Sequence, residues 1–123
     1  MNHAHLPLIQ YVTADITELR PRDVEAILKA AEKKYGPIEM VICCSAISKP
    51  AMFLSSDYDS FKNHGDLNFL GVLKFVQPIA KRIALRRAQG RICLIGDPVA
   101  THYAVPGMSP YSCSKAALEQ LAY

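Results

Sequence analysis

Apolar and polar positions recur along the chain in three similar units. Leu8 to Ala14 is a short apolar run with β-branched residues and reads as a strand, closed by Asp15, Ile16 and Thr17. Pro21 suits a first helical turn. Val24, Ile27, Leu28 and Ala31 follow at i, i+3, i+4 and i+7, so residues 21–35 read as an amphipathic helix. Gly36 and Pro37 stop it. Ile38 to Cys44 is almost continuously apolar, the pattern of a strand covered on both faces in a parallel sheet. Ser56 with Asp59 looks like a capping box. Helical pattern runs from there to about Ala88, interrupted near Gly65. Gly90 opens a third strand, Arg91 to Ile95. A loop with Pro and Gly spans 96–107, and a last helix starts near Ser109 and meets the chain end at Tyr123. The order β-α-β-α-β-α places the chain in the α/β class with right-handed crossovers.

Composition narrows the picture without naming a function. The 123 residues are 50% hydrophobic and 20% charged, the balance of one globular domain. No apolar run reaches the roughly 18 residues of a membrane span. The start Met-Asn-His-Ala-His lacks the basic and apolar regions of a signal peptide. A net charge of +3 is too small to argue for nucleic acid. Cysteines at 43, 44, 93 and 113 show neither zinc spacing nor a disulfide framework, and read as buried thiols in a reducing cytosol. His3 and His5 read as a frayed terminus rather than metal ligands. Lys81, Arg82, Arg86 and Arg87 read as a solvated helix end, where cations are favourable.

One pair carries chemistry. Tyr111 and Lys115 are four apart on a predicted helix and so share a face. An ammonium near a phenol favours the phenolate and would lower the tyrosine pKa. A phenol poised this way can exchange a proton with an alcohol or carbonyl oxygen.

The stretch Pro110-Tyr111-Ser112-Cys113-Ser114-Lys115-Ala116-Ala117 resembles the active-site helix of the short-chain dehydrogenase/reductase family. Three further places match that family in order. Asp15, in Ala-Asp-Ile-Thr after a strand, resembles its adenine-contacting acid. Val41-Ile42-Cys43-Cys44-Ser45-Ala46-Ile47 sits where the family carries an Asn-Asn-Ala-Gly turn. Asn68, in Asp66-Leu67-Asn68-Phe69-Leu70-Gly71, resembles the asparagine of its proton relay. The resemblance implies a Rossmann-like, doubly wound parallel sheet, represented here by its central strands and helices only. It also implies hydride transfer between a nicotinamide cofactor and a carbonyl or alcohol carbon. Tyr111 would be the general acid/base. Lys115 would tune it and hold the nicotinamide ribose, and Asn68 would position a water linking Lys115 to solvent. Asp15 and Ile16, with Cys44, Ser45 and Ala46, would lie along the adenosine side.

The departures from that pattern are equally specific. The family's catalytic serine lies thirteen residues before the tyrosine, and here that position is Pro98, preceded by Gly96 and Asp97. Proline has neither hydroxyl nor N–H to polarise a carbonyl. Losing one such donor costs about 10²–10³ in rate. Thr101 is the nearest later hydroxyl, and His102 is a second donor in the same loop. Ala46 puts a Cβ where a close backbone approach is expected. The six glycines, at 36, 65, 71, 90, 96 and 107, never form the family's glycine-rich phosphate turn. Residues 1–123 therefore read as a partial NAD(P)-binding domain, without that N-terminal unit and without a C-terminal substrate segment. The expectation is weak cofactor binding by this chain alone. In the family's strand order, Leu8–Ala14 and Ile38–Cys44 would not be neighbours, whereas Ile38–Cys44 and Arg91–Ile95 would pair. The former of that pair would then expose an apolar edge.

Tyr35-Gly36-Pro37-Ile38-Glu39-Met40, with Cys44 in the turn, resembles 3-ketodihydrosphingosine reductases. That resemblance implies NADPH, with NAD as the other choice, and a long-chain sphingoid ketone. It also implies the cytosolic face of the endoplasmic reticulum, and pairing through helices at 69–88 and from 109 onward as a homodimer. Two readings stay open at this point: an oxidoreductase, and an inactive homologue or fragment serving as a binding or dimerisation module.

Overall fold

A computed structural model describes residues 9–123. Helix α1 spans Pro21–Tyr35. Pro21 opens it without a lost bond, since its missing N–H falls where the helix has no partner to offer. The Asp23 carboxylate accepts from the Arg20 backbone N–H at 3.0 Å and from Arg20 Nε at 3.1 Å. Lys33 and Lys34 lie in the last turn, and Gly36 takes φ +90°, a left-handed value that suits glycine. Strand β1, Met40–Cys43, follows.

Helix α2, Tyr58–Gly65, begins one residue later than the Ser56 capping box implies. Asp57 is the cap, its carboxylate accepting from Ser60 N at 2.7 Å, while Ser56 Oγ donates to Met52 O at 2.9 Å. Asp outcompetes Ser here because its charge also complements the helix N-terminus. The chain does not break at Gly65. It continues through a π-helical turn, Asp66–Gly71, into α3, Val72–Leu85. The wider turn adjusts the phase so that His64, Asn68, Gly71, Val72, Val76 and Ile79 are all buried. Strand β2 is Arg91–Leu94 and helix α4 is Ser109–Gln120, ending before the chain does.

The two strands pair in parallel, Met40 with Arg91 through Cys43 with Leu94. This is the pairing expected from the sequence. Val24 and Leu28 of α1 meet Ile79 of α3 over Val41. Val72 and Val76 of α3 meet Leu118 of α4 over Cys43 and Leu94. Helix α3 thus lies centrally on the sheet, with α1 and α4 at its flanks.

Two expectations fail. The strands are not covered on both faces: Ile42 is 57% exposed and Met40 50%. Side chains alternate along a strand, and the packed helices touch only the face carrying Val41, Cys43 and Leu94. Nor is Leu8–Ala14 a strand within the described residues (Leu8 lies outside them, as do His3 and His5). From Ile9 onward the backbone joins no ladder, and Tyr11 is 86% exposed. Its β-branched composition has no neighbouring strand edge with which to pair, and strand propensity is realised only against a partner.

Candidate active site

The last helix brings its chemistry inward. Pro110, Tyr111, Ser114, Lys115 and Leu118 are buried, a spacing of three and four that keeps one face of α4 against the molecule. Tyr111 and Lys115 share that face, with Lys115 Nζ 5.8 Å from the centre of the Tyr111 ring. The ammonium points past the phenol and donates to Ile95 O at 2.6 Å. It retains two further N–H bonds for other acceptors.

Asn68 ties three parts of the chain together. Its side-chain oxygen accepts from Ile47 N at 2.8 Å. Its amide nitrogen donates to Ile47 O and to Ser114 Oγ, both at 2.9 Å. Ser114 Oγ in turn donates to Tyr111 O at 2.7 Å. Asn68 is 0% exposed, so these bonds replace water it no longer reaches. Asn68, Ser114, Tyr111 and Lys115 therefore form one packed group. The Asn68 side chain is fully engaged with protein groups.

His64 belongs to the same wall and was not picked out from the sequence. It is 1% exposed, accepts from Lys49 N at 3.1 Å and lies 2.7 Å from Ser60 O through Nδ1. A carbonyl can only accept, so Nδ1 donates to Ser60 O while Nε2 accepts from Lys49 N. The ring stands edge-on to Tyr111, centroids 6.5 Å apart. The available signal was its i, i+4 relation to Asn68 on one helix.

The expected effect of Lys115 on Tyr111 is not what the geometry produces. Burial first, and then the hydrogen bond from the Tyr111 hydroxyl to Asp97, push the phenol up to about 12. That bond runs from Tyr111 Oη to Asp97 Oδ2 at 2.8 Å. The Asp97 carboxyl is held below its ordinary value by the Val99 N–H, then by the Tyr111 hydroxyl, with Lys115 adding a smaller attraction. Burial pushes Lys115 down, against the pull of Asp97.

Counting back thirteen residues gave Pro98, but the residue against the tyrosine is Asp97, fourteen back. Pro98 instead opens a short turn, Pro98–Ala100, which Asp97 caps through Val99 N at 3.1 Å. The loop to α4 is thus one residue longer than the family spacing assumes. Thr101 and His102 are exposed and bonded to each other, with Thr101 Oγ1 also donating to Glu119 at 3.2 Å.

The adenosine-side candidates lie apart and outside the core. Asp15 accepts from Thr17 N at 2.8 Å and Thr17 Oγ1 at 2.7 Å, a local turn that lowers its pKa. Ile16 rests on Gly71, where a Cβ would come within 3.1 Å of its Cγ2, and Ile16 O accepts from Lys74 Nζ at 3.0 Å. Cys44, Ser45 and Ala46 are exposed loop residues, and Cys93 and Cys113 are exposed as well, against the expectation of buried thiols; Cys43 alone is partly buried, on the packed face of β1. These residues fit a nicotinamide cofactor on one side only. Tyr111 and Lys115 offer hydroxyl and ammonium to a ribose, and residues 44–46 leave their loop exposed. No glycine-rich turn feeds a helix N-terminus, so a pyrophosphate finds no such cradle among the described residues.

Comparison with known proteins bears on this arrangement. The sequence model of the family described as short chain dehydrogenase matches residues 3–123. The 3-dehydrosphinganine reductase of Danio rerio is 32% identical over 99 residues, covering 80% of this chain and 29% of that protein. A gluconate 5-dehydrogenase from Burkholderia cenocepacia J2315, solved in complex with NADP and tartrate, superposes with a TM-score of 0.77 at 25% identity, over 88% of this chain and 41% of its own. LigO from Sphingobium sp. strain SYK-6, in its apo form, has a TM-score of 0.83 at 24% identity, covering 90% of this chain and 40% of its own, and speaks to fold alone. The chain thus spans less than a third of the curated relative's length.

Proposed function

This chain belongs to the short chain dehydrogenase family, and from that premise we propose that it carries the proton-handling part of a nicotinamide-dependent oxidoreductase acting on an alcohol or carbonyl carbon. The observation that supports the reading is the chain of contacts from Asn68 through Ser114 to the Tyr111 backbone carbonyl, with the Lys115 ammonium beside the Tyr111 ring. Tyr111 is the proton carrier. Lys115 holds the ribose and stabilises negative charge on the phenol as it forms. Asn68 fixes the Ile47 backbone against α4 and so sets the wall of the site. Asp15 and Ile16, with Cys44, Ser45 and Ala46, flank the adenosine end. The cofactor, when bound, gives or takes the hydride. A long-chain sphingoid ketone is the substrate suggested by the 3-dehydrosphinganine reductase relative, and NADPH is the cofactor suggested by the gluconate 5-dehydrogenase solved with NADP. Assembly is proposed as a homodimer through α3 and α4. No described helix is long and apolar enough to cross a membrane.

A second reading is favoured by one observation: the Tyr111 hydroxyl hydrogen is already committed to Asp97. A homologue held in that state would act as a binding or dimerisation module.

The 123-residue chain, mixed with millimolar NADPH and a long-chain 3-keto sphingoid base, separates the two. Loss of reduced-nicotinamide absorbance is expected, and Tyr111→Phe should abolish it while NADPH fluorescence still reports binding. Undiminished turnover in Tyr111→Phe removes Tyr111 from the mechanism. No turnover at any NADPH concentration, with the fold intact, favours the binding module.

A further inference from the structure

We propose that Asp97 is the positioning residue of this site: by taking the Tyr111 hydroxyl hydrogen, its carboxylate presents an acceptor-only pair, which holds a hydrogen-bond donor on the ligand more tightly than a bare carbonyl oxygen. The inference deepens the reading of Tyr111 as proton carrier and rests on it.

Three observations carry it. Tyr111 is 9% exposed and has one hydroxyl hydrogen, which goes to Asp97 Oδ2 at 2.8 Å. The other carboxylate oxygen accepts from Val99 N at 3.1 Å, so the carboxylate is anchored by backbone and cannot simply swing away. The cation beside them, Lys115, donates to Ile95 O rather than to the phenol. An ionised carboxylate has lone pairs and no hydrogen to offer, and a phenol that has spent its hydrogen is in the same position. A ketone oxygen meeting such a pair finds only acceptors in it, and must turn to the remaining N–H bonds of Lys115 for a donor. An alcohol O–H or an ammonium N–H finds two partners, and hydrogen bonds to a charged acceptor are the stronger kind. Serine in place of Asp97 could turn its own hydrogen outward, but a carboxylate has none to turn. The site as folded therefore binds the hydroxyl form of a substrate, or one with an ammonium near the reacting carbon, more tightly than the ketone form that it reduces.

The test needs neither cofactor nor turnover, so it fails separately from the oxidoreductase reading. The intact chain is labelled with ¹³C at the tyrosine ring carbon bearing oxygen, and the Tyr111 signal is identified by its loss in Tyr111→Phe. In the wild-type chain that carbon should titrate near 12, and in the isosteric Asp97→Asn its midpoint should move down toward the ordinary tyrosine value. An unchanged midpoint overturns the proposal. Asp97→Ser gives a second variant, in which the midpoint should also fall. The same signal then reads three probes: 2-butanol, sec-butylammonium and 2-butanone. Either donor should shift it more than the ketone does in the wild-type chain, and the two arms distinguish hydroxyl from ammonium. The ketone should gain ground in Asp97→Ser. A ketone shift as large as the donors' in the wild-type chain, or no response to any probe, overturns the proposal.

Discussion

The two halves of the candidate site are built by different means. The proton-handling half joins residues far apart in sequence: Asn68 reaches Ile47 across 21 positions and Ser114 across 46. The half proposed to face the adenosine is held locally, Thr17 donating to Asp15 two residues away, and Cys44, Ser45 and Ala46 standing in an exposed loop. The same division runs through the sheet. Val41, Cys43 and Leu94 sit under helices, while Met40 and Ile42 on the opposite face stand bare. Long-range contacts fix geometry because breaking one loosens several elements. A local turn keeps its shape whatever surrounds it, but positions nothing distant.

The largest test of this contrast is apolar. Leu118 is 1% exposed between Val72 and Val76, beneath the polar group. Leu118→Ala should cost about 2–5 kcal/mol in urea unfolding, from lost burial and the cavity left behind. Ile42→Ala, on the bare face, should cost a small fraction of that. Equal losses would mean that the two faces are not packed as differently as described.

A smaller effect is expected from the polar half. Asn68→Ala should destabilise by about 1–3 kcal/mol, because it strands the Ile47 backbone groups that Asn68 satisfied. The Ile47 amide should exchange slowly in the wild-type chain and fast in the variant, and the exposed Ser45 and Ala46 should exchange fast in both. Asp15→Ala should leave the unfolding midpoint within error, since its bonds are solvated and local. A slow Ser45 amide, or Asp15→Ala matching Asn68→Ala, would erase the contrast.

The smallest effect is one of pH. Tyr111 holds its proton more tightly folded, near 12, than unfolded, near the ordinary 10. Its contribution is therefore complete below about pH 10 and is lost as pH rises through 12. Asp97 has the opposite sign: held below its ordinary value of 3.8, it contributes above that value and loses the contribution as pH falls. The stability difference between the wild-type chain and Tyr111→Phe should stay flat from pH 6 to 9 and shrink above about pH 10. A difference that grows there would place Tyr111 in a setting that favours the phenolate, the effect the sequence alone suggested for Lys115.

Much of the architecture was legible in one dimension. Helix α1 falls on the residues its 3.6-residue period marks, and Tyr111 and Lys115 share a face because helical geometry requires it at a spacing of four. The parallel pairing of β1 and β2 followed from two apolar runs separated by a helical stretch. Membership of the family rests on local motifs in order, which need no coordinates. These properties depend on neighbours within a turn or two along the chain, so spacing alone can fix them.

Other features depend on groups that meet only when the chain closes. A fixed count back from Tyr111 points to Pro98, but the loop carries one extra residue and its turn delivers Asp97 instead. The phenol sits high rather than low, because burial and a carboxylate outweigh an ammonium whose bond goes to Ile95 O. Leu8–Ala14 has the composition of a strand, yet its described part finds no edge to pair with. Hydrogen bonding and desolvation act over a few ångströms of space, and separation in sequence does not determine which groups come that close.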